Sequence, residues 1–207
     1  MDAHAWDERY AASDLVWSAG PNAVVAAECA GLPPGRAVDL AAGEGRHALW
    51  LAGRGWQVTA VDFAAVGLEK GRRVAEGSDL AGSVTWVHDD ATTWRAADDA
   101  AYDLALLAYL QLPPAERRAA VRGAHAALAP GGTLLVVAHD RTNLTEGTGG
   151  PQDPEVLMSA EDVLADLADL AHEVHRAERV ARPVEPGHGG GAGLVAWDCV
   201  VRVSRPA

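Results

Sequence analysis

Lysine, cysteine, phenylalanine and long apolar segments are all scarce in this sequence. Lys70 and Phe63 are the only residues of their kinds in the 207-residue chain, and Cys29 and Cys199 are its two cysteines. Cysteines so few and so far apart exclude a disulfide scaffold and a cysteine-rich zinc site, and they favour a reducing compartment. No segment approaches the ~20 consecutive apolar residues of a membrane span. The acidic N-terminus has no apolar core of a secretion signal, so we expect a cytoplasmic protein.

The charge balance is strongly acidic. The formal net charge is -12, with 17 lysines and arginines against 29 aspartates and glutamates. Proteins that bind nucleic acid need clustered cations to neutralise phosphates, whereas the arginines here are scattered or stand beside carboxylates, as in segments 116–118 and 178–179. We therefore expect neither nucleic acid nor membrane as a partner, but a small-molecule substrate. The length and the 49% apolar content predict one globular domain over residues 1–207. They do not reveal the oligomeric state, for which we expect a monomer or a homodimer.

Apolar segments of strand length alternate with segments of helix length from about residue 36 to about residue 170. This alternation is typical of a parallel sheet with helices on both faces. We predict strands at residues 37–41, 57–62, 84–88, 103–108 and 133–139, helices at residues 46–54, 65–78 and 114–128, and a turn at residues 129–132.

The C-terminal part follows a different pattern. Ser159, followed by acidic residues, predicts the start of a helix that ends near residue 170. Residues 172–182 and 194–203 then have the pattern of two consecutive strands, joined by the glycine-rich segment 185–191. Such strands form an antiparallel hairpin, and no helix follows the glycine-rich segment, so we interpret it as a hairpin loop rather than a phosphate-binding loop. The predicted fold is α/β: a doubly wound, seven-stranded mixed sheet ending in an antiparallel β-hairpin.

One segment, residues 142–154, is predicted to be long and irregular because it is rich in glycine and proline. Loops of this length in compact domains are usually functional or disordered. Its place after the fifth predicted strand puts it at the carboxyl edge of the sheet, where ligands bind in open α/β folds. We predict that this active-site loop and an N-terminal cap, residues 1–30, cover the site.

The segment 39–47 reads DLAAGEGRH and joins a predicted strand directly to a predicted helix. Gly43 and Gly45 permit backbone conformations that a side chain would block, and they let a ligand approach the main chain. The same segment satisfies the dinucleotide pattern G-x-G-x-x-A, and Asp62 follows at the distance of a ribose-binding acid. The glycine turn alone therefore leaves a nicotinamide and S-adenosylmethionine both open.

Two features favour S-adenosylmethionine. Asp39 stands in the strand before the glycine turn, where dinucleotide sites normally carry apolar residues. An acid there suits the cationic amino group of S-adenosylmethionine, which a pyrophosphate lacks. A closing antiparallel hairpin is also not the usual end of a dinucleotide-binding sheet.

The segment 39–47 resembles the first motif of the class I S-adenosylmethionine-dependent methyltransferases, D-[LV]-[GA]-C-G-x-G-R-N, in the branch that includes the tellurite-resistance and thiopurine-type enzymes. Ala41 stands where many relatives have the first glycine, and His47 where many have asparagine. The similarity covers nearly the whole chain through the segments WDERY at 6–10, VD at 61–62, HDDA at 88–91, YDLALL at 102–107 and LAPGG at 128–132.

The resemblance implies a Rossmann-like methyltransferase with S-adenosylmethionine as cofactor and S-adenosylhomocysteine as product. It implies that Asp39 and the glycine turn hold the methionyl part, and that Asp62 accepts hydrogen bonds from both ribose hydroxyls. Asp90 and the backbone of Ala91 would contact the adenine. The other implied cofactor contacts are Trp17, Ala41, Gly43, Gly45, Arg46, Phe63 and Leu107.

Candidates for catalysis follow the fourth and fifth predicted strands. His139 is placed to polarise or deprotonate the acceptor, because an imidazole titrates near neutral pH, although a purely structural role stays equally open. Tyr109 is the second catalytic candidate. The histidines do not predict a metal site, because His172 and His175 would lie on opposite faces of a strand and no third ligand accompanies them. The predicted substrate contacts are Tyr10, Gln111, Asp140 and Asn143.

The predicted reaction is in-line transfer of a methyl group to a small-molecule nucleophile. Its leaving group is a neutral thioether, so positioning and exclusion of water would supply most of the rate. Two alternatives stay open: a nicotinamide-dependent oxidoreductase that uses the same turn, and a non-catalytic module that binds S-adenosylmethionine. The motifs do not identify the acceptor.

Overall fold

A seven-stranded sheet forms the centre of the computed structural model, which describes residues 2–13, 15–16, 20–97, 102–184 and 194–207. The strands are β1 (Arg36–Leu40), β2 (Gln57–Asp62), β3 (Ser83–His88), β4 (Tyr102–Ala108), β5 (Leu128–His139), β6 (Glu173–Pro183) and β7 (Val195–Ser204). The helices are α1 (Ala3–Ala11), α2 (Ala23–Cys29), α3 (Arg46–Gly53), α4 (Ala65–Glu76), α5 (Pro114–Ala126), α6 (Asn143–Glu146) and α7 (Ala160–Asp166). Among the helices of these residues, none has the length and apolar content needed to cross a membrane.

The first five strands are parallel, and the last two form the predicted antiparallel hairpin. The strand order is β3-β2-β1-β4-β5-β7-β6, and β7 is antiparallel to both of its neighbours. The chain crosses from one side of the sheet to the other between β3 and β4, so β1 and β4 are adjacent at the switch point. Ligands of open α/β sheets bind in the crevice outside the carboxyl ends of such strands. Segment 185–191, interpreted above as the hairpin loop, lies outside the described residues.

Apolar layers cover both faces of the sheet, as a doubly wound fold requires. Val25 of α2 and Leu51 of α3 belong to one layer, and Val121 of α5 and Val163 of α7 belong to the other. The central strand β4 contributes to both layers, and its Leu104 is fully buried. Burial on both faces explains why β4 has an almost continuous apolar sequence.

Polar side chains fix the N-termini of α2, α7 and α4. The side chain of Asn22 accepts two backbone N–H groups in the first turn of α2, and Ser159 and Asp162 form a capping box at α7. Asp7 of α1 accepts a 2.9 Å hydrogen bond from the N–H of Val66, in the first turn of α4. This last contact ties the N-terminal helix to the beginning of α4.

Two predicted boundaries were wrong by more than two residues. Helix α7 ends at Asp166 rather than near residue 170, because the chain continues in turns, with the N–H of Leu170 bonded to the carbonyl of Leu167. Strand β5 begins at Leu128, and the predicted turn at residues 129–132 lies within the strand as an irregularity in its pairing with β4.

The segment 142–154 is also more ordered than predicted. It contains α6, and a 3-10 turn at Pro154–Val156 begins at its end. Asn143 anchors it, since its Oδ1 accepts the N–H of Trp197 and its Nδ2 donates to the carbonyl of Gly149, both at 2.8 Å. Residues 147–153 have no regular secondary structure, as predicted, but these hydrogen bonds, one of them to a strand 54 residues later, hold the segment in place.

Candidate functional site

Most of the predicted site residues that the structure describes lie at or just after the carboxyl ends of β1, β2, β3, β4 and β5. After β1 the chain turns sharply into α3, whose first N–H groups face this edge. The turn contains three residues with positive φ: Ala41 at 61°, Gly43 at 57° and Gly45 at 75°. This conformation exposes the backbone at the point where a ligand would meet the helix N-terminus.

Ala41 adopts the left-handed conformation without being glycine. An L-residue in this region costs roughly 1–2 kcal/mol. The turn therefore has the conformation that suits glycine, although the sequence has alanine at this position. At Gly45 the glycine is needed for packing as well, because a Cβ atom there would overlap the indole of Trp86.

Asp39 is a buried acid with no hydrogen-bond partner among the described residues. Its side chain is 1% exposed, and both carboxyl oxygens are unpaired. Burial raises the pKa of Asp39 to about 7 and the nearby Asp62 adds to the rise. The N–H of Ala48, which is close but does not meet hydrogen-bond geometry, and the guanidinium of Arg46 oppose it. An unpaired buried carboxylate is costly, so this position fits a ligand that brings a cationic amino group.

Asp62 connects the end of β2 to the glycine turn. Its Oδ2 accepts a 2.7 Å hydrogen bond from the N–H of Gly43, and its Oδ1 accepts a 2.8 Å hydrogen bond from the N–H of Ala64. Burial raises its pKa, whereas the two N–H donors lower it. Because each carboxylate oxygen has two lone pairs, both oxygens retain capacity for ligand hydroxyls.

The other predicted cofactor contacts lie around these acids. Asp90 is exposed, and its Oδ1 accepts hydrogen bonds from the N–H and hydroxyl of Thr92, both at 2.8 Å. Ala91 and Leu107 are buried, and the carbonyl of Phe63 lies 2.9 Å from Nε2 of His88. Trp17 lies outside the described residues.

The beginning of α3 is linked to the N-terminal region. The side chain of His47 is buried, and its Nε2 accepts the N–H of Asn22 at 3.3 Å. Burial lowers the pKa of His47 to about 3, and Arg46 contributes to the decrease. His47 is therefore neutral. Arg46 is partly buried and lies close to Asp39 and Tyr109, between the glycine turn and the end of β4.

A buried ion pair fixes the N-terminal segment over the glycine turn. Lys70 of α4 lies 3.2 Å from the carboxylate of Glu44, whose two oxygens also accept the N–H of Val16. The same ammonium donates to the carbonyls of Tyr10 and Ser13. The Tyr10 side chain is itself buried and stacks on Trp6 with the ring centroids 5.5 Å apart.

Tyr109 follows β4 and also has a positive φ, of 60°. Its hydroxyl donates to Oδ2 of Asp198 at 2.7 Å and accepts from the amide of Asn22 at 2.8 Å. Burial and Asp198 raise the pKa of Tyr109 above its usual range, so the phenol stays protonated. Non-glycine residues held in such a conformation concentrate at functional sites.

His139 ends β5 beside Tyr109, with the ring centroids 5.1 Å apart. Its buried Nδ1 lies 3.5 Å from Oδ1 of Asp198, too far for a good hydrogen bond. Burial lowers the pKa of His139, Asp198 raises it and Arg182 lowers it, with a net decrease. The imidazole is therefore neutral near pH 7 and able to accept a proton.

Three predicted substrate contacts hold neighbouring loops in place. Oδ1 of Asp140 accepts the N–H and the hydroxyl of Thr142, and Nε2 of Gln111 donates to the carbonyl of Val156 at 3.2 Å. Asn143 uses both amide atoms on the backbone, as described above. These three residues and Tyr10, the fourth predicted substrate contact, all lie near the site. The polar side-chain atoms of Gln111, Asp140 and Asn143 already bond to neighbouring residues.

Sequence reasoning missed Asp198, Arg182 and the side-chain role of Asn22. Asp198 lies in β7, and Nε of Arg182 in β6 donates to its Oδ2 at 2.6 Å. The one available sign was an acid inside the apolar segment VAWDCVV. Among the described residues no group of three or more His, Cys, Asp or Glu side chains is arranged to hold a metal ion.

The central part of the chain matches a known family. Residues 37–132 match the family model described as "Methyltransferase domain". The chain is also 26% identical, over 169 residues, to thiocyanate methyltransferase 1 of Brassica oleracea, and this alignment covers 79% of the chain and 73% of that protein.

Solved structures share the fold. A structure determined for the conversion of a disulfide bond into a thioacetal group during echinomycin biosynthesis aligns with a TM-score of 0.76 and 19% identity, over 99% of this chain and 91% of that one. TehB from Haemophilus influenzae aligns with a TM-score of 0.70 and 16% identity, over 89% of this chain and 62% of that one.

These matches confirm the resemblance and decide between the two cofactors that the glycine turn left open. The nicotinamide alternative is not supported, and the cofactor is S-adenosylmethionine. The chain contains a methyltransferase domain over residues 37–132 and is similar to the S-adenosylmethionine-dependent methyltransferases in sequence and, as TehB shows, in fold.

Proposed function

We propose that this protein transfers the methyl group of S-adenosylmethionine to a small-molecule nucleophile by in-line displacement. The observation that carries the proposal is Asp39, a buried carboxylate without a hydrogen-bond partner among the described residues, beside a left-handed turn. A buried charge of this kind requires a partner, and the amino group of the cofactor supplies one.

In this proposal the predicted contacts divide the cofactor between them. Asp39 binds the amino group, and the glycine turn with Arg46 holds the methionyl carboxylate. Asp62 accepts the ribose hydroxyls through its remaining lone pairs, and Asp90 with Ala91 contacts the adenine. When bound, the cofactor supplies an electrophilic methyl carbon on a sulfonium. Trp17, Ala41, Phe63 and Leu107 complete the proposed set.

The acceptor is proposed to lie between the glycine turn and the end of β5. His139 is the proposed base, because its neutral imidazole stands at this edge and Nε2 hydrogen-bonds to no described residue. Tyr109 contributes its ring rather than its hydroxyl, whose proton is already donated to Asp198. The chain's main task is then to hold the acceptor in line and to exclude water.

Three observations support a small molecule as the acceptor. The acidic surface, with a net charge of -12, disfavours nucleic acid. The relative from Brassica oleracea is named for thiocyanate, which is a small anion. The Glu44–Lys70 pair also holds the N-terminal segment across the edge of the site, and such a cover suits a small acceptor. We further propose a cytoplasmic protein that is a monomer or a homodimer and consists of one methyltransferase domain.

Thermal unfolding with S-adenosylmethionine, S-adenosylhomocysteine, NADH and NADPH tests the cofactor site. A ligand at about 100 times its dissociation constant adds about 2.7 kcal/mol, which raises the melting temperature by several degrees. We expect stabilisation by the two adenosyl ligands only. Asp39→Asn should abolish it, whereas Asp79→Asn, which changes an exposed acid, should leave it unchanged. Stabilisation by a nicotinamide alone, or an unaltered response in Asp39→Asn, would overturn the proposal.

Transfer of a labelled methyl group to a panel of thiols, phenols, amines, thiocyanate and chalcogen oxyanions tests the reaction. Labelled product from at least one acceptor supports the proposed function. Tight cofactor binding with no transfer to any member would favour the non-catalytic module instead. Deletion of residues 1–20 is expected to reduce turnover more than stability, as a cover over the site requires. Unchanged turnover would contradict that role.

A further inference from the structure

Asp198 is a buried acid that no sequence motif includes, and it lies directly opposite His139. The two residues are register partners in the antiparallel pairing of β5 with β7. The carboxylate of Asp198 is 0% exposed. The strand pairing and the burial together fix the position of the Asp198 carboxylate relative to the proposed base, His139.

The two carboxylate oxygens of Asp198 have different surroundings. Oδ2 accepts from the hydroxyl of Tyr109 at 2.7 Å and from Nε of Arg182 at 2.6 Å. Oδ1 faces Nδ1 of His139 at 3.5 Å and Nη2 of Arg182 at 3.4 Å. The amide of Asn22 holds the other side of the Tyr109 hydroxyl. Oδ2 is therefore fixed by two short bonds, and Oδ1, which accepts one long bond from Nη2 of Arg182, also faces the imidazole.

We propose that Asp198 is a positioning residue that keeps the proton of neutral His139 on Nδ1, so that Nε2 presents its lone pair to the methyl acceptor. Nδ1 is buried and faces a carboxylate oxygen, so a lone pair on Nδ1 would meet negative charge without a donor. A proton on Nδ1 removes this conflict. This inference rests on the proposed function, because it assigns an orientation to the base proposed there.

This arrangement selects the acceptor class. An acceptor with a removable proton, such as a thiol or a hydroxyl, gives its proton to Nε2 while its electron pair forms the bond to the methyl carbon. The electron pair of the broken carbon–sulfur bond stays on the sulfur, and His139 later releases the proton to water. The imidazolium formed in this step faces Asp198, and we expect their separation to shorten in the loaded enzyme. An acceptor that is already anionic undergoes the same displacement but transfers no proton to His139.

Charges from two neighbouring strands set the proton affinity of His139. Asp198 on β7 raises its pKa, Arg182 on β6 lowers it, and burial accounts for the net decrease. From the end of β4, Tyr109 faces the imidazole as a neutral phenol. Because Asp198 and Arg182 have opposite effects on the pKa of His139, removing each charge should shift the titration midpoint in opposite directions.

The test is two-bond proton–nitrogen NMR of the histidine rings in the free protein, with His139→Gln identifying the signals of His139. In the wild type we expect the Nδ1–H tautomer and a titration midpoint below that of an ordinary histidine. Asp198→Asn should increase the Nε2–H tautomer and move the midpoint to lower pH. Arg182→Gln should move the midpoint to higher pH.

The opposite signs separate positioning from a structural role. Both substitutions break the same ion pair, so a purely structural effect would lower the melting temperature in both and shift the midpoint in the same direction. That result, or an Nε2–H tautomer in the wild type, would overturn the inference. If Asp198→Asn fails to fold, the wild-type tautomer and the titration midpoint of Arg182→Gln still test the positioning role of Asp198. Because no cofactor is present in these measurements, a failure here leaves cofactor binding by Asp39 intact and is distinct from a failure of the proposed function.

Discussion

The N–H of Gly43 donates a 2.7 Å hydrogen bond to Oδ2 of Asp62, which joins the glycine turn after β1 to the acid that ends β2. The neighbouring acid Asp39 makes no such bond to any described residue. Two buried carboxylates thus lie in one site, one holding the protein together before any ligand arrives and the other unpaired. This difference predicts that replacing each acid with asparagine changes the free energy of unfolding in opposite directions.

Asp39→Asn is expected to raise the free energy of unfolding of the ligand-free protein by about 2 kcal/mol at about pH 8, since it removes a buried unpaired charge. Because the folded pKa of Asp39 is raised to about 7, its proton stabilises the fold at low pH, and this contribution is lost as the pH rises through about 7. The difference between variant and wild type should therefore grow from about pH 4 to about pH 7. Urea unfolding across this range measures it.

The matched variant Asp62→Asn should lower the free energy of unfolding by about 1–3 kcal/mol. Asparagine has one acceptor oxygen where aspartate has two, so one of the two buried N–H donors loses its partner. The free-energy cost of the lost acceptor exceeds the gain from removing a buried charge, because both oxygens of Asp62 accept short hydrogen bonds. Equal effects of the two variants in urea unfolding would contradict this account of the site.

Binding of S-adenosylmethionine should weaken as the pH falls below about 7. The cationic amino group requires ionised Asp39, whose pKa of about 7 in the free protein means that binding at lower pH must displace a proton. We expect the association constant to fall up to about tenfold per pH unit between about pH 7 and about pH 5. Isothermal titration calorimetry in buffers of different ionisation enthalpy counts the released proton. A flat profile in the wild type would refute the assigned contact.

Ala41→Gly should stabilise the protein by about 0.5–1 kcal/mol. The substitution removes the strain of a left-handed alanine at φ 61° and gives back part of that gain as conformational entropy of the unfolded chain. Ala42→Gly is the matched control, because Ala42 is a buried neighbour without a positive φ. It should destabilise by about 1 kcal/mol. Chemical unfolding of both variants checks the prediction, and a destabilised Ala41→Gly would show that the turn carries no strain there.

Lys70→Met should release the N-terminal segment while the sheet stays folded. The variant leaves the buried carboxylate of Glu44 without its cation, and detachment of the segment returns that carboxylate to water. We expect faster limited proteolysis within the first 16 residues and weaker cofactor binding, with little change in melting temperature. Arg73→Gln, which breaks an exposed ion pair with Glu69 on the same helix, should have no effect. Equal proteolysis of both variants would place the attachment elsewhere.

Local patterns predicted the elements and the cofactor side of the site. The alternation of apolar segments identified the five parallel strands, and the different C-terminal pattern identified the hairpin. The signal was clearest for β1, β4 and β5, because strands buried on both faces must be apolar. The acids Asp39 and Asp62 could be found because they sit at strand ends next to a glycine turn, where the main chain itself fixes their position. The prediction of an irregular segment at residues 142–154 missed α6 and its anchor, since the amide of Asn143 bonds to Trp197, more than 50 residues later.

The sequence by itself determined the glycine turn and the two acids beside it and indicated the methyltransferase resemblance, because each motif depends on residues close together along the chain. Only the tertiary structure decided which side chains face His139. Asp198 and Arg182 reach it through the pairing of β7 with β5 and β6, and Tyr109 and Asn22 complete the cluster from elsewhere in the chain. Such contacts depend on strand order and register, which no local pattern specifies when the chain is read one segment at a time.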